Sequence, residues 1–126
     1  MKFVTGGAPG ADLFWSCELL SLDHPVIVKS FKGHKRHLPP SSLIEIQELD
    51  EEELARAQEP VQRAARSMGK CVPKPGSEAE KYIRRDWHIC KDADALYAIG
   101  YLNNDNPGLG VEGGTGWTCE IFVLEC

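Results

Sequence analysis

The spacing of apolar residues changes period several times along the chain, and each change predicts an element. Residues 2–5 form a short half-apolar run that breaks into Gly6, Gly7, Pro9 and Gly10, a cluster too rich in turn formers to continue a strand. From Asp12 the period becomes helical. Leu13, Phe14, Trp15, Cys17, Leu19 and Leu20 share a broad face, with Asp12 placed as N-cap or first-turn acid and an end near Asp23. After His24 and Pro25, the β-branched run Val26, Ile27, Val28 reads as a strand buried in a parallel sheet. Strand, glycine loop, helix and strand in sequence make a βαβ unit.

The chain then turns basic, with Lys32, His34, Lys35, Arg36 and His37 leading into Pro39, Pro40 and two serines, the composition of a surface loop. Residues 50–68 carry Leu54, Ala57, Val61, Ala64, Ala65 and Met68 at helical spacing and predict an amphipathic helix kinked or broken at Pro60. Pro73, Pro75 and Gly76 mark another loop. Ser77 and Glu80 have capping-box spacing and open a helix to about Lys91 that buries Ile83, Trp87 and Cys90. Residues 95–102 (ALYAIGYL) are apolar on both faces and predict a central parallel strand, followed by a turn-rich loop over 103–110. Val111 and Glu112 lead into a second glycine loop, Gly113, Gly114, Thr115 and Gly116. Residues 117–126 read as a short helix packed on the sheet, with an edge strand at 121–124 as the alternative allowed by periodicity. The fold class expected is α/β, a mostly parallel sheet of about four or five strands within one domain over 1–126.

Composition supports a folded core and removes several function classes. The chain has 126 residues, 42% of them hydrophobic and 26% charged, close to ordinary globular proportions. Fourteen Lys and Arg against nineteen Asp and Glu give a net charge of −5. That balance argues against a protein that coats nucleic acid or an anionic membrane. No apolar run approaches the ~20 residues of a membrane span. Five cysteines without C-x-x-C spacing and no apolar leader at the start predict reduced thiols in the cytoplasm, serving mostly as small core residues. His34 and His37 lack partners at ligand spacing, so no metal or other cofactor is expected, and His88 reads as a surface or packing residue.

The two glycine loops carry the candidate chemistry. In an open parallel sheet, ligands sit beyond the carboxyl ends of the strands, where helix N-termini offer N–H groups and partial positive charge to an anion. Glycine lets backbone approach a phosphate without a Cβ between them. Gly6, Gly7, Gly10 and Asp12 form one candidate ligand loop, and Gly113, Gly114, Thr115, Gly116 and Trp117 the other, with the Trp117 ring available to lie against a base. Lys32 and its basic neighbours follow the second strand, where dinucleotide-binding folds place the residue that reads the ribose. A solvated surface loop is the plainer account of that run.

The residues Gly6-Gly7-Ala8-Pro9-Gly10-Ala11-Asp12, the pair Arg84-Arg85, the run Ala93-Asp94-Ala95 and the loop Gly113-Gly114-Thr115-Gly116 with Glu120 beyond it resemble the SLOG superfamily. That group includes the lonely-guy phosphoribohydrolases and many nucleotide-sensor domains. The resemblance implies a Rossmann-like three-layer fold and a nucleotide or phosphate-bearing ligand, with homodimers common among relatives. The lonely-guy enzymes carry P-G-G-x-G-T-x-x-E, matched here at Gly113, Gly114, Gly116 and Glu120; Glu112 stands at the proline and Trp117 at the threonine. Arg85 matches their arginine, and Asp86 stands at the following lysine. By resemblance, Arg85 and Glu120 are the catalytic candidates. Cleavage of an N-glycosidic bond builds positive charge on the ribose that a carboxylate such as Glu120 stabilises, whereas Arg85 is suited to holding phosphate or orienting that carboxylate. An inter-element salt bridge would use the same two residues. Two functions are expected from this pattern: a nucleotide sensor or binding protein, or a nucleoside 5'-monophosphate phosphoribohydrolase.

Overall fold

The computed structural model describes residues 1–102 and 110–126, which fall into two compact units, Met1–Glu51 and Glu52–Cys126. The turn-rich segment read at 103–110 lies, but for Gly110, outside the described residues. The class is α/β: a three-stranded parallel sheet and five helices among the described residues.

The first unit is the predicted βαβ unit with one more strand. β1 (Phe3–Thr5), α1 (Ala11–Ser21) and β2 (Val26–Phe31) fall where the pattern places them, but on the apolar face expected of α1 Phe14 and Cys17 are exposed, and the buried residue of the helix is Ser16. β3 (Ile44–Leu49) extends the sheet in the order β1-β2-β3, with Val4 opposite Ile27 and Val28 opposite Ile46. The hydrophobic pattern does not mark β3, because the strand follows the proline and serine loop and keeps much of its surface in water; Ile46 is itself exposed. β2 carries the burial. Val26, Val28 and Ser30, on one face of the strand, are fully buried, as the continuous β-branched run requires. α1 packs on β1 and β2. Gly10 is its N-cap, and Asp12 sits in the first turn.

The second unit is a helical cluster. The single helix expected over 50–68 is two: α2 (Glu51–Arg56) and α3 (Gln58–Met68), parted at Ala57. Pro60 explains the break, because it has no N–H for the Arg56 carbonyl and its ring crowds that carbonyl. α3 ends at Gly69 in the left-handed conformation, with two backbone bonds back to Ala65 and Arg66. α4 (Glu78–Cys90) begins with the predicted capping box: the Glu80 N–H donates to Ser77 Oγ at 3.2 Å, and Glu80 Oε1 accepts from the Gly76 N–H at 3.1 Å. α5 (Gly113–Glu125) settles the end of the chain as helix, four residues longer at its start than Trp117 suggested.

α5 packs on α3 and α4, so these helices supply the partner surface that its apolar residues need. Ala57, Val61, Ala64, Ala65 and Met68 meet Ile83, Cys90, Trp117 and Ile121, with Val72, Trp87 and Phe122 at the margin. Trp87 is thus half-buried, not the core anchor expected of it. His88 is a buried packing residue whose Nε2 lies 2.7 Å from the Glu53 carbonyl.

One expectation fails outright. Residues 95–102 form no strand of the described sheet; Leu102 makes an antiparallel bridge to Val111, and the Glu112 N–H donates to the Tyr101 carbonyl. Hydrophobicity alone does not separate a core strand from an apolar segment that stays in water, and Tyr97, Ile99, Tyr101 and Leu102 are all exposed.

A bidentate ion pair fastens α3 to α5: Arg63 Nε donates to Glu125 Oε1 at 2.7 Å and Nη2 to Oε2 at 3.0 Å. The hydrogen bonds from Arg63 hold the Glu125 carboxyl below its ordinary pKa. A depressed carboxyl stabilises the fold above its unfolded pKa and loses that contribution as pH falls through the folded value. Urea unfolding across a pH series is therefore expected to show Glu125→Gln less stable than the wild type near neutrality, with the difference vanishing in acid below the usual carboxylate range; a difference that persists there would contradict the pairing.

Candidate functional site

The carboxyl ends of β1 and β2 bring two of the predicted segments together. The first glycine loop leaves β1 at Thr5, whose Oγ1 accepts from the Gly7 N–H, and enters α1 through Gly10. The Asp12 side chain folds back onto this loop, its Oδ2 accepting from the Ala8 N–H at 3.1 Å. The basic run leaves β2 at Phe31, so Lys32 follows the strand directly and is exposed. The two segments meet where the His37 N–H donates to the Gly7 carbonyl at 2.8 Å. Gly7 has φ +68, and a Cβ there would stand 2.9 Å from Val28 Cγ1, so both backbone conformation and packing require glycine.

The basic run is not simply a solvated loop. His34 is buried, stacked on Phe31 at 5.0 Å between ring centroids, with Nδ1 2.9 Å from Ser30 Oγ. Arg36 Nη1 reaches the same hydroxyl at 3.4 Å and stands 4.0 Å from Glu48 of β3. His34 and Ser30 thus anchor the loop, leaving Lys32, Lys35 and His37 exposed beside the glycine turn. The role of His34 escapes sequence reasoning because its partner stands four residues back inside a strand.

The second glycine loop belongs to the other unit. Glu112 is the N-cap of α5, and no side chain caps its first turn. Gly113 and Gly114 are exposed, and a Cβ added at Gly114 would meet nothing within 4 Å. Gly116 is different: a Cβ there would run into the Val111 carbonyl, so this glycine is required by packing. Thr115 is half-buried, and Trp117 is buried in the helical core, not turned outward as a stacking platform.

The two catalytic candidates stand in this same unit, each with a recorded partner. Arg85 is buried on α4; its Nη2 lies 3.1 Å from Asp86 Oδ1, and its guanidinium carbon sits 5.4 Å from the centre of the Tyr82 ring. Glu120 is half-buried on α5 and accepts a hydrogen bond from Ser67 of α3. Asp86, which stands where the resemblance would place lysine, is therefore the arginine's own counter-charge. An open depression of about 590 Å³ lies elsewhere, along α2, α3 and Trp87, and contains none of the predicted site residues.

Three thiols cluster where α4 meets the end of α5. Cys126 Sγ donates to the Cys90 carbonyl at 3.0 Å, and Cys90 Sγ lies 3.7 Å from the Thr118 carbonyl. Of the five free cysteines, only Cys90 is buried, whereas Cys17, Cys71 and Cys126 are exposed, contrary to the expectation of mostly core thiols. Apolar content placed these residues inside, but a thiol is small enough to tolerate water, and Cys71 and Cys126 stand outside the helices. Among the described residues no group of three or more His, Cys, Asp or Glu is arranged to hold a metal ion, and no helix is long and apolar enough to cross a membrane.

Comparison with known proteins adds little to this geometry. No family model matches the chain, and no solved structure matches it. A stretch of 57 residues is 33% identical to mouse (Mus musculus) Beta-crystallin A1, covering 39% of this chain and 28% of that protein. The chain thus spans little more than a quarter of the curated relative it matches.

Burial pushes the Cys90 thiol up to about 12, with Asp86 and the neighbouring thiols acting in the same direction, and burial likewise raises Cys119 and Cys126. A protonated thiol is a poor nucleophile. Alkylation with iodoacetamide at neutral pH, read by mass spectrometry, is expected to modify Cys17 and Cys71 while leaving Cys90 intact until the protein is unfolded. Labelling of Cys90 at the same rate as Cys71 would show that α4 and α5 do not enclose it.

Proposed function

We propose that the chain binds a nucleotide or nucleotide-derived ligand through the phosphate-bearing end, as a sensor or binding protein of the SLOG type. The observation that carries the reading is the joint between the glycine loop and the basic run, the His37 N–H on the Gly7 carbonyl. It gathers Lys32, Lys35 and His37, the glycine backbone and the N-terminus of α1 at the carboxyl ends of two parallel strands, the end where open α/β sheets hold anions. α1 follows Gly10 and α5 opens on Gly113, both without a side-chain cap, whereas α4 is closed by Ser77. Backbone N–H groups at an uncapped start are available to an anion. The ligand's negative charge fits these places better than the rest of an acidic chain. The Rossmann-like form of the reading asks for four or five strands; the described residues form three. The reading carries a cytoplasmic setting with it, where such ligands are abundant.

Binding is favoured over turnover by the partners of the catalytic candidates. Arg85 is neutralised by Asp86, and Glu120 is engaged with Ser67. Phosphoribohydrolase activity is the second reading, and it rests on the resemblance at Arg85 and Glu120.

Calorimetric titration with nucleoside mono- and diphosphates tests the first reading. Replacing Lys32 and Lys35 together by alanine is expected to weaken binding about tenfold or more and to flatten its dependence on salt. Gly114→Val asks the same question of the second loop. With open space around position 114, the variant folds, and a loss of affinity reports exclusion of the phosphate by the side chain. If wild type binds none of these compounds, the reading is wrong.

Release of free base from nucleoside monophosphates tests the second reading. An active protein should lose most turnover in Glu120→Gln while keeping its affinity, because the substitution removes charge at nearly constant shape. Absence of free base from the wild type eliminates this reading and leaves the first untouched.

A further inference from the structure

β3 stands last in the order β1-β2-β3, so among the described residues its second edge pairs with no strand. The backbone groups on that edge can be named. In a parallel ladder a residue bonds to the two neighbours of its partner, and Val26, opposite Ile44, donates to the Leu43 carbonyl at 3.0 Å. The odd-numbered residues of β3 therefore turn their N–H and C=O groups to β2, and Ile44, Ile46 and Glu48 turn theirs outward. Each is a hydrogen-bonding position for a further strand.

The side chains along this edge say what kind of strand fits. Paired residues of a ladder share a face, so Ile44 and Ile46 lie beside Val26 and Val28. The two valines are fully buried, whereas Ile46 is 45% exposed and Leu43, just before the strand, 37%. Burial thus stops between β2 and β3, and an apolar strip is left along the edge. Acids flank it. From His37 to Ala55 the sequence contains no lysine or arginine and six carboxylates. Glu45 is exposed, points to the opposite face from Ile44 and Ile46, and pairs with no cation among the described residues. Glu48 stands 4.0 Å from Arg36 and keeps 55% of its side chain in water.

We propose that the outer edge of β3 is a docking site for an extended, basic segment of a partner protein, added as a further strand with β-branched residues opposite Ile44 and Ile46 and a lysine or arginine opposite Glu45. A second copy of β3 does not fit there, because two such edges bring carboxylates against carboxylates. The charges that keep identical edges apart select a strand of the opposite sign. In strand addition the backbone bonds supply affinity, and alternate side chains supply the choice of partner. None of the nucleotide-site candidates lies on β3, so the proposal stands apart from that reading.

Fluorescence anisotropy of a labelled heptapeptide, Lys-Val-Lys-Val-Lys-Val-Lys, titrated with the full chain is the test. Wild type is expected to bind it saturably at micromolar concentration, and to bind a peptide of the same composition in two blocks, three valines then four lysines, about tenfold more weakly. Ile46→Pro removes an outward N–H without touching the ladder to β2. Edge strands tolerate proline at such a position, so the variant folds and loses about tenfold in affinity or more. Glu45→Lys, at an exposed side chain, is expected to weaken binding by a similar factor and to reduce its dependence on salt, and it decides the matter if Ile46→Pro fails to fold by circular dichroism. Wild type that shows no saturable binding up to millimolar concentration overturns the proposal, as does equal binding of the block peptide or an affinity that either folded variant leaves unchanged.

Discussion

No side chain can stand at position 7, and the organisation of the first unit depends on that exclusion. Gly7 lies against Val28, a fully buried residue of the central strand, with the positive φ that lets the chain turn out of β1 and back into α1. The close approach also leaves the Gly7 carbonyl pointing at the His37 N–H. One backbone bond thereby holds the basic loop against the start of a helix. The grip on the other side is a buried polar contact, His34 with Ser30, which pins the loop from within and turns its lysines outward. Desolvating a histidine and a serine costs free energy unless they satisfy each other, so this pair fixes the loop in one arrangement.

The second unit has a different logic. Small residues on α3, Ala57, Ala64 and Ala65, allow close packing of the helices, and Ile121 and Val61 fill the space between them. Polar ties at the rim then set the position of α5: Arg63 with Glu125, Ser67 with Glu120, and the carbonyl contacts of Cys90 and Cys126. Glu120 serves in this structure as one of those ties. A carboxylate used to hold one helix to another is less free to stabilise charge on a ligand.

Local patterning made much of this legible. The βαβ start, the α4 capping box and the break caused by Pro60 are decided by residues close together in sequence, through backbone hydrogen bonds, caps and the missing proline N–H. The glycine loops could be placed for the same reason. Which glycines are required by packing could not: Gly7 and Gly116 are indispensable because of Val28 and the Val111 carbonyl, whereas Gly114 stands in open space.

Tertiary structure decided the rest, because burial is a property of partners and not of a residue. Residues 95–102 have the composition of a core strand and lie exposed, while Arg85 and Asp86 look like surface charges and lie buried together. Trp117 follows a candidate phosphate loop and yet turns into the helical core, since α3 and α4 offer its ring an apolar surface that solvent does not. By itself the sequence determined where the chain turns and which stretches are helical. The partner of each apolar face and each buried charge was set only when the elements packed, because those contacts join residues far apart in the chain and no local pattern encodes them.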